Sequence, residues 1–335
     1  MSTRTIRSAI VAAAAARLSC SALRARPPGG AVRWDRSNHR GEPVTLLEGP
    51  AVAIGGVAGA LAGGGSPRER LAVAIAGAGA AAFGGYDDLA GNGGSRGFRG
   101  HLCALRRGDL TTGVVKLAGI GAVGLTAAIT AGDRTDNAGG HAAVAGVADT
   151  LINAALIAGC ANLVNLFDLR PGRAAKVVVI AGGLLAPGGS GLSAAPLAAA
   201  AALLPEDLGE RAMLGDAGAN ALGAMLGAAA AISLPRPARL AALGLVTGLT
   251  AASEVVSFTS VIERTTPLRW LDLLGRRPAP ASPVPENTVP ENTVPENTVP
   301  ENTVPATLRA DSGDHDARPA AGKHRAGTLP SAQPT

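Results

Sequence analysis

Between residues 49 and 253 the chain is a succession of uncharged apolar runs, at 49 to 67, 71 to 86, 117 to 132, 150 to 167, 177 to 205, 217 to 235 and 240 to 253. A water-soluble domain rarely supplies so many stretches near the length of a membrane crossing. Composition agrees: 47% hydrophobic residues, 16% charged and 46 Gly, with a mean hydropathy of +0.25. The expected fold is therefore all-α, a polytopic membrane helix bundle of about nine transmembrane helices with a disordered C-terminal tail.

Candidate crossings fall at 5 to 23, 49 to 67, 70 to 86, 114 to 132, 143 to 161, 174 to 187, 191 to 205, 217 to 235 and 238 to 262. The sixth and seventh come from one uncharged run split at Pro187 to Gly191, and each half is shorter than the ~20 residues that a span normally needs. A single crossing there would invert every later side assignment. With nine, one face receives 17 Lys or Arg before the tail and the other receives seven: Arg4, Arg7, Arg68, Arg70, Arg134, Arg236 and Arg239. The positive-inside rule makes the richer face cytoplasmic.

The N-terminal stretch has Arg4 and Arg7 ahead of apolar residues, as a secretory signal would, but Arg17 interrupts it, so 5 to 23 reads as a first span. Cys20, Cys103 and Cys160 have no zinc or disulfide spacing and are assigned to packing. From Pro278 onward lie 11 of the 23 Pro, with Val-Pro-Glu-Asn-Thr repeated four times from Val284 to Thr303. That divides the chain into a membrane domain, 1 to 277, and a Pro-rich tail, 278 to 335, expected to be a cytoplasmic spacer. A sequence isoelectric point near 9.7 does not imply nucleic-acid binding, because aromatic residues amount to 2% and base-stacking platforms are lacking. Lipid headgroups and phosphorylated substrates are the expected partners of the Arg excess.

Three acidic clusters fall at span ends on the expected cytoplasmic face: Tyr86-Asp87-Asp88, Asn162-Leu-Val-Asn165-Leu-Phe-Asp168 and Met213-Leu-Gly-Asp216. Adjacent carboxylates repel unless a cation offsets them, and hard oxygen ligands shared with substrate phosphates suit Mg2+. Arg96, Arg99, Arg106 and Arg107 follow the Asp pair closely, so one loop offers both acids and phosphate forks. His101 sits in that loop and is a further phosphate contact candidate or a solvated side chain. Asn162, Asn165 and Asp168 form an i, i+3, i+6 polar stripe, readable as a ligand surface or as a helix-end hydrogen-bond network. Acid plus Arg on one face suggests phosphoryl transfer; ordinary solvated loop charge is the competing reading. Gly77-Ala-Gly79 is assigned to small-residue helix packing, since no acidic residue follows at the distance a dinucleotide fold requires. Glu254 is a lone carboxylate within the ninth span, either functional or paired near the cytoplasmic end.

In these residues the chain resembles the polyprenyl-phosphate N-acetylhexosamine-1-phosphate transferase superfamily, over roughly residues 30 to 275. The matching pieces are Asn38 to Pro43, Asp87-Asp88, Leu110 to Lys116, Asn162 to Asp168 and Met213 to Gly218. The resemblance implies Mg2+-dependent transfer of a sugar 1-phosphate from a UDP-sugar to a polyprenyl phosphate at the cytoplasmic face of the cell membrane, with release of UMP. It implies catalytic roles for Asp87, Asp88 and Asp168, and Mg2+ ligation by Asp216 with Asp88. Substrate contacts are implied for Lys116, Asn162 and Asn165, and the basic residues Arg96, Arg99, His101 and Arg173 are added to them as candidate phosphate contacts. Polyprenyl phosphate, the UDP-sugar, the bilayer and a second copy in a homodimer are the implied partners. The chain departs from the family where Leu169 to Arg173 replaces a Gly-Leu-Asp-Gly-type run, where Thr266 to Asp272 contains no His, and where Ala219 stands for Ser or Thr. These departures leave the donor sugar open. They also admit a rival reading, a catalytically silent homologue that binds lipid phosphate or scaffolds other proteins. A transporter is disfavoured, because Asp149 and Glu254 are the only candidates for paired charges within spans and the sequence shows no internal repeat.

Overall fold

The computed structural model describes residues 2–91, 111–132, 140–186 and 191–278, without the side chains of 140–145. Arg96, Arg99, His101, Arg106, Arg107 and the whole repeat tail lie outside these residues. The described chain belongs to one compact unit, Met1–Ala279. It is mostly helical: α1 (Thr3–Ala25), α2 (Glu48–Ala62), α3 (Pro67–Ala90), α4 (Thr112–Ala131), α5 (Gly140–Phe167), α6 (Arg173–Leu185), α7 (Ala194–Leu208), α8 (Gly215–Ser233), α9 (Arg236–Ser253), α10 (Phe258–Arg264) and α11 (Thr266–Leu273).

Local chemistry sets several of these ends. Ser66 and Glu69 close a reciprocal capping box at the start of α3, with Pro67 in its first turn. The Thr111 hydroxyl accepts the Val114 amide at the start of α4. Every expected span overlaps at least one helix, but three helices among the described residues are long and apolar enough to cross a membrane: α1, α4 and the Gly146–Phe167 part of α5. A fourth is added if α9 and α10 are one broken span. At 13 to 15 residues, α2, α6 and α7 reach only about 20–23 Å, short of a ~30 Å hydrocarbon core. α3 carries Arg68, Glu69 and Arg70 in its first turns and Asp87 and Asp88 in its last. The single ninth span expected over 238 to 262 is instead two helices meeting at 96°, broken where Ser253 gives way to Glu254 and Ser257 caps α10.

The all-α expectation also missed a hairpin. β1 (Asp35–Ser37) pairs antiparallel with β2 (Pro43–Thr45), Arg36 opposite Val44. Its turn is organised by Asn38, whose Oδ1 accepts the amides of Arg40 and Glu42, with Gly41 at φ +78°. The Thr45 carbonyl accepts the Met213 amide at 2.9 Å, so the hairpin pins the segment that leads into α8.

Buried along nearly its whole length, α8 is the central post. With Ala and Gly in place of large side chains, neighbouring backbones approach it closely. A Cβ on Gly84 of α3 would overlap the Asp216 carbonyl, and one on Gly223 of α8 would overlap the Cys160 carbonyl of α5. Small-residue contacts of this kind let apolar helices associate without a water-driven hydrophobic term between them. Gly84→Ala is expected to destabilise the protein by at least about 1–3 kcal/mol, because the clash is with backbone. Gly85→Ala, where a Cβ would sit 3.6 Å from Ala217, is expected to be neutral or stabilising by up to about 1 kcal/mol. Thermal unfolding in detergent measures both; equal losses would mean that the close approach is unimportant.

Candidate functional site

Four elements distant in sequence bring acidic and basic groups to one end of the bundle. Asp87 and Asp88 sit in the last turn of α3, Lys116 in the second turn of α4, Asp168 just past α5, and Asp216 in the first turn of α8. Lys116 Nζ lies 2.7 Å from Asp87 Oδ2 and 2.6 Å from Asp216 Oδ2. One ammonium therefore bridges two carboxylates that would otherwise repel. Asp88 points differently. Its Oδ1 accepts the Asp216 amide at 3.0 Å and its Oδ2 the Ala217 amide at 2.9 Å, which satisfies two free donors at the start of α8 with a negative charge at the positive end of the helix. Gly215, at φ +58°, brings its backbone against the Asp88 carboxylate and Leu46. Asn220 Nδ2 donates to the Asp216 carbonyl at 2.7 Å and so holds the first turn of α8 from within.

Burial raises the pKa of Asp88 to about 7, with the nearby Asp216 charge adding to the shift and the α8 amides opposing it. Burial also raises that of Asp216, against Lys116. For Asp87, burial is outweighed by hydrogen bonds from Asp216 and Lys116, which hold its carboxyl below the ordinary range. Asp168 is pushed well up by burial and by the charges of Asp207, Asp216 and Asp88. It lines a cavity of about 110 Å³ shared with Asn38, His39 and Arg170, which places it between the carboxylate cluster and the hairpin.

Asn162 and Asn165 are half-buried on α5, and their side chains make no hydrogen bond with described residues, so their amides are free to meet a ligand. Arg173, expected to contact substrate, is placed otherwise. It is 4% exposed and forks onto Asp272, with Nε to Oδ1 at 2.8 Å and Nη2 to Oδ2 at 3.2 Å, while Nη1 donates to Thr259. A guanidinium so engaged ties α6 to α10 and α11, and is not offered to a phosphate. Among the described residues no group of three or more His, Cys, Asp or Glu is arranged to hold a metal ion. The position between Asp87 and Asp216 is taken by the Lys116 ammonium.

Two acids at this end escaped the sequence analysis. Glu48 is 0% exposed and neither of its carboxylate oxygens has a partner. Asp207 is buried, with Oδ2 unpartnered, and burial raises its pKa to about 7. Their signals were positional: Glu48 directly precedes an apolar run, and Asp207 follows Pro205 inside α7. Glu210 adds a backbone signal, as the non-Gly residue at φ +54°. Its Oε2 accepts Asn38 Nδ2 at 2.7 Å and its Oε1 lies 3.0 Å from Arg40 Nε, which ties the hairpin to the end of α7.

The chain matches no protein-family model and no curated protein.

Asp88 generates a test in metal-free buffer. With its folded pKa near 7 and an unfolded value near 3.9, the native state holds the proton more tightly, so its contribution to stability is largest below about pH 4 and is lost as pH rises toward 7. Asp88→Asn is expected to flatten the fall in unfolding temperature between pH 4 and 7 relative to wild type. Parallel curves would mean that Asp88 ionises normally.

Proposed function

We propose that the protein transfers a sugar 1-phosphate from a UDP-sugar to a polyprenyl phosphate at the cytoplasmic face of the cell membrane, as a divergent member of the family that its motifs resemble. The single observation that carries the reading is the convergence of Asp87, Asp88, Lys116 and Asp216 from three helices into one linked cluster at a bundle end, with Asp168 beside it. Such a cluster is costly to assemble for stability alone, because buried like charges raise one another's energy. A location at a helix-bundle end suits a reaction between a lipid and a soluble nucleotide. On this reading the nine helical segments of the sequence analysis all cross or line the bilayer, with their charged ends at its faces.

In the proposed reaction an oxygen of the lipid phosphate attacks the sugar-bearing phosphorus of the UDP-sugar. A new pyrophosphate bond forms, the bond to the bridging oxygen breaks, and UMP leaves with the electron pair. Asp87, kept ionised beside Lys116, keeps the attacking oxygen unprotonated. Lys116 supplies positive charge where phosphate oxygens gather. Asp88 acts on position, since it fixes the first turn of α8 and thereby Asp216. By the resemblance, Asp168, Asn162 and Asn165 would line the nucleotide site. Mg2+ fits this donor set to the extent that it needs only one or two protein carboxylates and takes its other ligands from water and substrate phosphates. Asp216, with 25% of its side chain exposed, would hold it together with Asp88; when bound, the ion neutralises charge on the pyrophosphate. A second reading, a silent homologue that retains lipid phosphate, is favoured by the sequestration of Arg173 and by the ammonium between Asp87 and Asp216.

The test is Mg2+-dependent UMP release in micelles containing undecaprenyl phosphate, with a panel of UDP-sugars. Wild type is expected to turn over one donor, and Asp88→Asn and Asp216→Asn are each expected to lower the rate by roughly 100-fold or more. Retention of lipid phosphate with no UMP from any donor would select the silent homologue.

A further inference from the structure

The end of the bundle opposite the carboxylate cluster has a built polar cavity of its own. Along α3, Glu69 and Asp87 are separated by about 27 Å at the helical rise of 1.5 Å per residue, close to one hydrocarbon thickness. At the Glu69 end a cavity of about 210 Å³ opens between α4, α5, α8 and α9. Asp149 and Asn153 on α5, 9% and 6% exposed, meet Arg236 and Arg239 from the first turn of α9. Arg236 Nε donates to Asp149 Oδ1 at 2.8 Å, and Arg239 Nη1 to Asn153 Oδ1 at 2.7 Å.

Donors are left over. Arg239 has five N–H groups; besides the bond to Asn153 it has an ion-pair contact of 3.5 Å from Nη2 to Asp149, and Nε is buried with no acceptor. The Asn153 amide nitrogen makes no hydrogen bond with any described residue, although the residue lines the cavity and is almost wholly enclosed. Asp149 Oδ1 and Asn153 Oδ1 each already accept an arginine N–H, while Arg239 Nε and the Asn153 amide find no acceptor among the described residues, so buried donors are left unmet in the polar wall. Charge narrows the choice. Arg236 and Arg239 face Asp149 and the rim residue Glu69, whose carboxylate is committed to the Ser66 amide. A near-neutral, donor-rich wall suits a singly charged phosphodiester better than a dianion, which would cost more to desolvate. The rest of the lining is apolar, with Ala128, Ile157, Ala228 and Ile232 providing a surface for hydrocarbon.

The few basic residues on this face are also concentrated. Of its seven Arg, Arg236 and Arg239 line this cavity, and Arg4, Arg7 and Arg70 line a neighbouring concavity beside the start of α3. We infer that the cavity of Asp149, Asn153, Arg236 and Arg239 binds the phosphate of an amphiphile, a phospholipid of the leaflet opposite the carboxylate site. This rests on the bilayer-spanning reading of the bundle and not on the transferase chemistry, so loss of UMP release leaves it standing.

Native mass spectrometry of the full chain in detergent tests it, with phosphatidylglycerol, phosphatidylethanolamine or inorganic phosphate added to delipidated protein. Wild type is expected to retain one phospholipid, with occupancy about tenfold lower in Asn153→Leu and in Arg239→Gln, while Arg4→Gln stays at wild-type level. Asn153→Leu leaves the Asp149–Arg236 pair intact, so it carries the test if Arg239→Gln fails to fold. Protection from thermal unfolding by inorganic phosphate alone, lost in both variants, would confirm the phosphate chemistry and assign it to a free anion. Equal phospholipid retention by wild type and both variants, or no binding of any probe, would overturn the inference.

Discussion

The contact between α3 and α8 is the constraint on which the rest of the structure depends. Gly84 has no Cβ, so the Asp216 backbone rests directly on α3, and one turn further along the same helix Asp88 accepts the first amides of α8. Steric permission and electrostatic clamping thus act at neighbouring positions of one helix. A larger residue at 84 would push the start of α8 outward and carry the Asp216 carboxylate away from Lys116. Two further contacts at the start of α8, Gly49 of α2 against Leu214 and Gly218 and the hairpin through Met213, follow the same scheme: backbone is held against backbone at the polar end, where side-chain geometry matters most.

The polar end is held in electrostatic tension. Lys116 offsets Asp87 and Asp216, and the α8 amides offset Asp88, but Glu48 and Asp207 are enclosed with unpartnered oxygens. Buried carboxyls without partners cost several times what a made hydrogen bond returns, so the fold carries these groups at a loss in stability. The surface network of Glu206 with Arg17, Arg24 and Arg211 does not repay it, since exposed pairs contribute little each. On the proposed function, a ligand that brings positive charge would relieve this repulsion.

Helices were legible because uncharged runs and their flanking caps are local features: each expected segment overlies a helix, from α1 to α9. The number of crossings was not legible. It depends on length against bilayer thickness, and α2, α6 and α7 are short, while α3 and α8 owe their place to packing among small residues. The break after Ser253 and the three-residue strands at Asp35 and Pro43 lie below the length at which periodicity has meaning. At the site, acids at helix ends drew attention to Asp87, Asp88, Asp168 and Asp216. What no local pattern could give was the partner of each charge. Arg173 lies five residues after Asp168 and yet pairs with Asp272, 99 positions away; Glu48 drew no attention because its burial is imposed by helices from elsewhere in the chain.

The two polar ends differ in kind, and that difference bears on both proposals. One end gathers carboxylates around a single lysine and needs added positive charge. The other gathers arginines around Asp149 and Asn153 and needs an added acceptor. Both lie on one scaffold, because α3, α4 and α8 contribute residues to each and α5 runs from Asp149 at one end to Asp168, just past its last turn, at the other. A chain selected only to pack in a membrane would keep its buried helix ends apolar or mutually neutralised, since unmet donors and acceptors are most expensive there. Opposite deficits at the two ends are therefore what the two proposals rest on, added positive charge at one end and an added acceptor at the other.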